Sequence, residues 1–338
     1  VNPPETHLLI RGSPHVPGAK VEPGFPQVLG ARDPQIPQPG ADVKTSGRRG
    51  VLADWIAAKD NRLTARVMVN RLWQHHFGRG IVASTNDFGK FGTPPTHPEL
   101  LDWLASEFME GGWHVKRMHK LILMSSAYQM SSQANAAGLQ ADPANQLFWR
   151  FNMRRLTAEE VRDSILIVSG QFNPKMGGAS IYPPIPREVL AGQSRPGEGW
   201  NTSPPDEAAR RSVYVHIKRS LLVPILSHHD QADTDSSCPV RYTTTVPTQA
   251  LGMLNGDFTN EQAAAFAERL REEAPDDLTA QVRRAIRLTT GRPPAEDEVQ
   301  KDVAFIAELK KKTKLTDEQA LKQYCLMQLN ANEFVYLD

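Results

Sequence analysis

The chain has only 2 cysteines in 338 residues, Cys238 and Cys325, and they match no metal spacing. There is no C-x-x-C-H for covalent haem and no C-x-x-C pair for zinc. Taken alone, the two thiols either form one bridge, if the protein is exported, or stay apart as partly buried thiols. Also missing is any apolar run near the roughly 18–20 residues that cross a bilayer, so no membrane span is expected. Charge of one sign is missing too. A formal net charge of +1 leaves no electrostatic footprint for nucleic acid, and the basic residues are not interleaved with aromatics. A G-x-S-x-G elbow, a Walker A loop, a G-x-G-x-x-G fingerprint and an H-E-x-x-H zinc pair are all absent, which removes the commonest catalytic signatures. No repeat has a solenoid period. The opening Val1-Asn2-Pro3-Pro4 has neither Met nor the apolar core of a signal peptide, and reads as the start of a piece of a longer protein.

What is present is an ordinary soluble composition, 40% hydrophobic and 23% charged, enough for a sizeable core. Residues 1–47 are rich in Pro and Gly and predict one short strand followed by an arm that no regular ladder can hold. Helical periodicity then begins and continues to the end, interrupted by an irregular Pro/Gly-rich loop insertion at 171–210. The fold class expected is mainly α: one multi-helix globular domain over 48–338, with a Pro/Gly-rich N-terminal arm and one small β-sheet. Val213, Val215 and Ile217 alternate like a strand, and the sheet is expected to join 213–217 to 8–11.

The stretch 63–104 holds 3 of the 10 histidines and 2 of the 6 tryptophans, with more polar groups than core filling needs. At about 100° per residue, Ala65, Met68, Val69, Leu72 and Trp73 share one helix face with His76 near its centre. His76 is therefore expected to be buried and structural, with His75 at one edge and Arg66, Asn70 and Phe77 at the other. Gly78 is a plausible left-handed cap. Thr96 and Glu99 have capping-box spacing, which gives Glu99 a structural role. His75, His97, Asp87 and Arg71 remain as candidate acid, base and cationic groups of a catalytic site.

Further on, Thr157 and Glu160 form a second capping box. Arg154 and Arg155, just before it, and Arg241 are candidate grips for a carboxylate or phosphate, or else partners of Asp and Glu on a neighbouring helix. His228, His229 and Asp233 sit in the richest local set of metal-ligand residue types, in no established spacing. The KKKTK run at 310–314 suits the end of a helix and needs no nucleic acid.

Several long motifs occur in order: RRGVLADWI, LTARVMVNRLWQHHFGRGIV, DFGKFGTPPTHPELLDWLASEF, GWHVKRMHKLI, NMRRLTAEEVRDSIL, CPVRYTTTVPTQALGMLN and LNANEFVYLD. Together they closely resemble the planctomycete PSD-one domain family, a domain of unknown function, over nearly the whole chain from about Arg48. The resemblance implies a C-terminal module of a large exported protein, periplasmic or extracellular, whose upstream partners are a cytochrome c-type domain and a second planctomycete-specific domain. Haem c is then expected only on that upstream domain, with no cofactor in this chain. Export also raises the standing of a Cys238–Cys325 disulfide. The family brings no catalytic residues to carry over. The function expected is an accessory binding or docking domain. The alternatives are an extracellular hydrolase or redox enzyme acting on polymeric or sugar-like substrates through the His/Asp/Arg site, and a metal-binding domain.

Overall fold

The computed structural model describes residues 3–30, 32–37, 40 and 45–337. The chain gathers into two compact units, Val1–Phe151 and Asn152–Asp338.

In the first unit, strands β1 (Thr6–Leu9) and β2 (Pro17–Val21) pair as an antiparallel hairpin. The arm that follows is fastened to α1 (Arg48–Ile56) by Phe25, stacked on Trp55 with ring centroids 4.6 Å apart. Next come α2 (Thr64–Phe77), α3 (Pro98–Glu110), α4 (Val115–Leu123) and the short α5 (Ala136–Ala141). Helix α2 ends where expected, at Gly78, with φ 75°. Its apolar side packs on α3, which contributes Leu101, Leu104 and Phe108, and on α4, which contributes Met118 and Ile122. Phe77 stacks on Trp73 at 4.2 Å and meets Phe148 at 5.3 Å and Tyr128 at 5.8 Å. Aromatic contacts of this kind add about 0.5–1.5 kcal/mol each beyond the area they bury.

The second unit opens with β3 (Arg154–Arg155), which pairs antiparallel with β4 (Tyr336–Leu337) at the far end of the chain. Between them lie α6 (Ala158–Ser169), α7 (Arg187–Ala191), α8 (Pro205–Ala208), α9 (Pro224–His228), α10 (Pro247–Asn255), α11 (Asp257–Glu273), α12 (Leu278–Thr290), α13 (Glu296–Thr313), α14 (Asp317–Leu329) and α15 (Asn332–Val335). Helix α11 sits between α6 and α14 and buries Ala263, Phe266, Ala267 and Leu270 completely or nearly so. Helix α14 buries Leu321, Tyr324, Cys325 and Leu329, and the Tyr324 hydroxyl donates to Asp302 Oδ2 at 2.7 Å. The protein is thus mainly α, with two two-stranded sheets among the described residues.

The expected sheet between 8–11 and 213–217 does not form. β1 takes its partner from β2 a few residues away, a contact that closes a much shorter loop. Ser212–Tyr214 is instead a turn of 3-10 helix, pinned because Asp163 Oδ1 accepts from the Ser212 N–H at 2.8 Å and from its hydroxyl at 2.6 Å. Of the three alternating residues only Val215 is buried, in a single bridge to Ile181.

The segment 171–210, expected as an irregular insertion, contains the short helices α7 and α8 between its loops, and it is held in place. Backbone carbonyls that leave the regular ladders still need donors, and two arginines supply them here. Arg162, 2% exposed, donates to the carbonyls of Arg210 at 3.0 Å and Ala208 at 2.5 Å, and to Ser212 Oγ at 3.2 Å. Arg210 donates to the carbonyls of Lys175, Gly177 and Ala179 and lies 4.0 Å over the Tyr214 ring.

Candidate functional site

In the first unit, the end of α2 and the loop after it carry the predicted acid–base residues. Asn70 and Phe77, expected at an edge of the helix, are both buried. Asn70 explains why. Its amide oxygen accepts from the Val82 N–H at 2.8 Å and its amide nitrogen donates to the Val82 carbonyl at 3.0 Å, so it clamps the returning chain as a strand would. Gly80 passes so close that a Cβ there would lie 2.7 Å from the Asn70 amide.

The four candidate catalytic groups do not converge on one cavity. Arg71 donates to Asn86 Oδ1 at 3.1 Å, and Asp87 is exposed and caps its own turn by accepting from the Gly89 N–H at 2.8 Å. His97 is half-buried at the N-cap of α3, with Nδ1 3.0 Å from Thr96 Oγ1. His75 is exposed on α2. A cleft of about 480 Å³ next to this loop is lined by Val82, Phe88, Lys90, Pro94, Leu101 and Asp102 among others, and by none of the four. The expected Thr96–Glu99 capping box is also absent. The helix starts one residue later, on Pro98, so Thr96 points to the Ile81 carbonyl and no side chain caps α3.

His76 is half-buried rather than sealed in the core, and its partner was missed. Nε2 lies 2.8 Å from Nδ1 of His119 on α4, with Tyr128 edge-on to the His76 ring. The sequence signal for His119 is its place beside Met118, the most deeply buried residue of α4.

In the second unit, the three candidate ligand-binding arginines do gather around the start of α6, and each faces a carboxylate. Arg241 grips Glu159 with two hydrogen bonds of 2.5 and 2.8 Å, and Arg154 approaches Glu160 at 3.5 Å. Arg155, 4% exposed, donates to Asp230 Oδ2 at 2.7 Å and to the carbonyls of His229 at 3.0 Å and Thr244 at 3.1 Å. Asp230 also accepts from the Thr244 N–H and hydroxyl, and Gln249 reaches Thr244 Oγ1 at 3.0 Å. Burial alone would raise the Asp230 carboxyl; the Thr244 hydrogen bonds and Arg155 outweigh it and hold it below the usual range. The Thr157–Glu160 capping box is present, and both glutamates are held low by the same balance of burial against hydrogen bonds and arginines. Two of the longest motifs, NMRRLTAEE and CPVRYTTTVPTQ, therefore meet as a network of paired charges.

The sequence model of PSD1, a protein of unknown function (DUF1553), matches residues 48–306, well over half of the chain. The chain belongs to the PSD1 family. No curated protein and no solved structure matches it. The PSD1 match runs through both compact units, so the paired Asn70–Val82 clamp and the arginine network both lie in the PSD1 region.

The remaining predicted sites in this PSD1 chain come apart. His229 is buried with Nδ1 2.9 Å from the Ile225 carbonyl, His228 is exposed against Gly252, and Asp233 accepts from the Asp235 N–H and the Ser236 hydroxyl. Among the described residues no group of three or more His, Cys, Asp or Glu is arranged to hold a metal. His229 and Asp233 are each turned to a local partner. The two cysteines are free thiols, Cys238 exposed and Cys325 buried in α14, so the bridge is not formed.

Proposed function

We propose that the chain is an accessory binding module of a larger exported protein, and that it docks a c-type haem domain of the same polypeptide. The observation that carries this reading is a groove of about 710 Å³ in the second unit. Its walls are mainly apolar, from Leu254 of α10, Phe305 and Leu309 of α13, Leu315, and Leu326 and Met327 of α14, with Thr313, Gln323 and Asn330 also on the lining. Leu254, Phe305 and Met327 are 43%, 40% and 36% exposed, three large apolar side chains gathered in one concavity. A groove between helices is a common receptor for an apolar protein segment. Arg71, Asp87 and His97 are engaged with a neighbouring amide, a turn and a cap, and they give the enzymatic reading no comparable support.

The test is co-elution of this chain with the c-type haem domain encoded in the same reading frame, followed by haem absorbance. Wild-type chain should shift the haem peak to the mass of a complex, and Phe305→Asp should abolish the shift while leaving the circular dichroism unchanged. A complex that forms equally well with Phe305→Asp, or no complex with the wild type, refutes the proposal.

A further inference from the structure

Two imidazole nitrogens that face each other need something positive between them. His76 Nε2 and His119 Nδ1 are 2.8 Å apart, and the rings stand nearly perpendicular, at 76° with centroids 5.0 Å apart. Each nitrogen carries either a proton or a lone pair, and two lone pairs at this distance repel. The gap therefore holds one shared N–H proton or a cation.

We propose that His76 and His119 form a two-histidine seat for a divalent transition metal of the copper–nickel–zinc type. Neutral imidazole is the preferred nitrogen donor for these ions, with bonds of roughly 2.0–2.1 Å to zinc. At the tetrahedral angle two such bonds set their nitrogens roughly 3.3–3.4 Å apart, so the pair opens by about half an ångström and the rings turn until both lone pairs point at the ion. With His119 as the donor of the hydrogen bond, its proton moves from Nδ1 to Nε2, which frees both facing lone pairs without net loss of a proton. The two donors come from different helices, α2 and α4, so the ion ties the helices together and is a ligand of the folded state only. Both rings are half-buried, which leaves solvent access on one side. No third His, Cys, Asp or Glu joins them among the described residues, so water completes the coordination. That makes the site an open, exchangeable one rather than a closed structural zinc site with four protein donors. It is separate in kind from the apolar groove and stands whether or not the groove docks a haem domain.

Calorimetric titration of the metal-free full chain with Zn(II) and with Cu(II) at pH 7.5 tests this. One ion per chain is expected, with affinity falling at pH 5.5 as protons compete for the imidazoles. His76→Gln and His119→Gln should each weaken binding by ~10-fold or more, and His75→Gln, on the exposed neighbour in α2, should leave it unchanged. Should either substitution disturb folding, the Cu(II) electron paramagnetic resonance spectrum of the wild type decides, since it must show coupling to two imidazole nitrogens. The proposal fails if no ion binds at one per chain, if the ion survives both substitutions, or if the spectrum shows fewer than two coupled nitrogens.

Discussion

Replacing Arg162 by Met keeps most of the length of the side chain and removes its donors, which isolates what the guanidinium does for the irregular loop. In the wild type it is 2% exposed and serves the carbonyls of Ala208 and Arg210 and the hydroxyl of Ser212. Burial costs the charge itself something: it pulls the guanidinium down to about 10, with Asp163 opposing the shift from 3.6 Å. Met relieves that cost but leaves up to three buried acceptors without a donor, at roughly 1–3 kcal/mol each. Relief and loss partly cancel, and the net destabilisation expected is about 2–4 kcal/mol. Guanidinium denaturation should show the transition of the second unit moved to lower denaturant, and hydrogen exchange should localise the lost protection to 175–212. A loss under about 1 kcal/mol, or unchanged protection in that segment, would mean that the loop is ordered by its apolar residues and not by Arg162.

Three further outcomes follow from named contacts. Thr157→Ala breaks a formed capping box and should cost about 1 kcal/mol, whereas Thr96→Ala, where no box exists, should cost less than half as much; equal losses in denaturation would contradict the assigned caps. Burial holds His229 below its usual value, so between that lowered value and 6.5 the unfolded chain binds more protons than the folded one. Stability should therefore fall as pH drops below 6.5, and fall again below about 4.5 as Glu159, Glu160 and Asp230 are protonated; His229→Gln should remove the first fall and keep the second. A thiol reagent should label one cysteine per native chain, Cys238, and a second only in denaturant, because Cys325 is buried and its thiol is pushed well up by burial; no labelling in either state would indicate a bridge.

Sequence alone determined what depends on near neighbours along the chain. The periodicity of α2, α3, α6 and α11–α14, the left-handed stop at Gly78 and the Thr157–Glu160 box are all local properties, fixed by side-chain spacing and backbone preference. So is membership in the PSD1 family, because its motifs are long runs. Only the tertiary structure decided who meets whom. Arg155 finds Asp230 across 75 residues, His76 finds His119 across 43, and Arg162 finds the carbonyl of Arg210 across 48. A charged residue inside an apolar stripe, as Arg162 is between Val161 and Ile165, announces in sequence that some buried partner exists. Which partner it is depends on the packing of elements distant in the chain, and one residue's own spacing carries no record of that. The same limit misplaced the strand at 213–217: its alternation was real, but Asp163, 49 positions before Ser212, pins Ser212–Tyr214 as a 3-10 helix at its start.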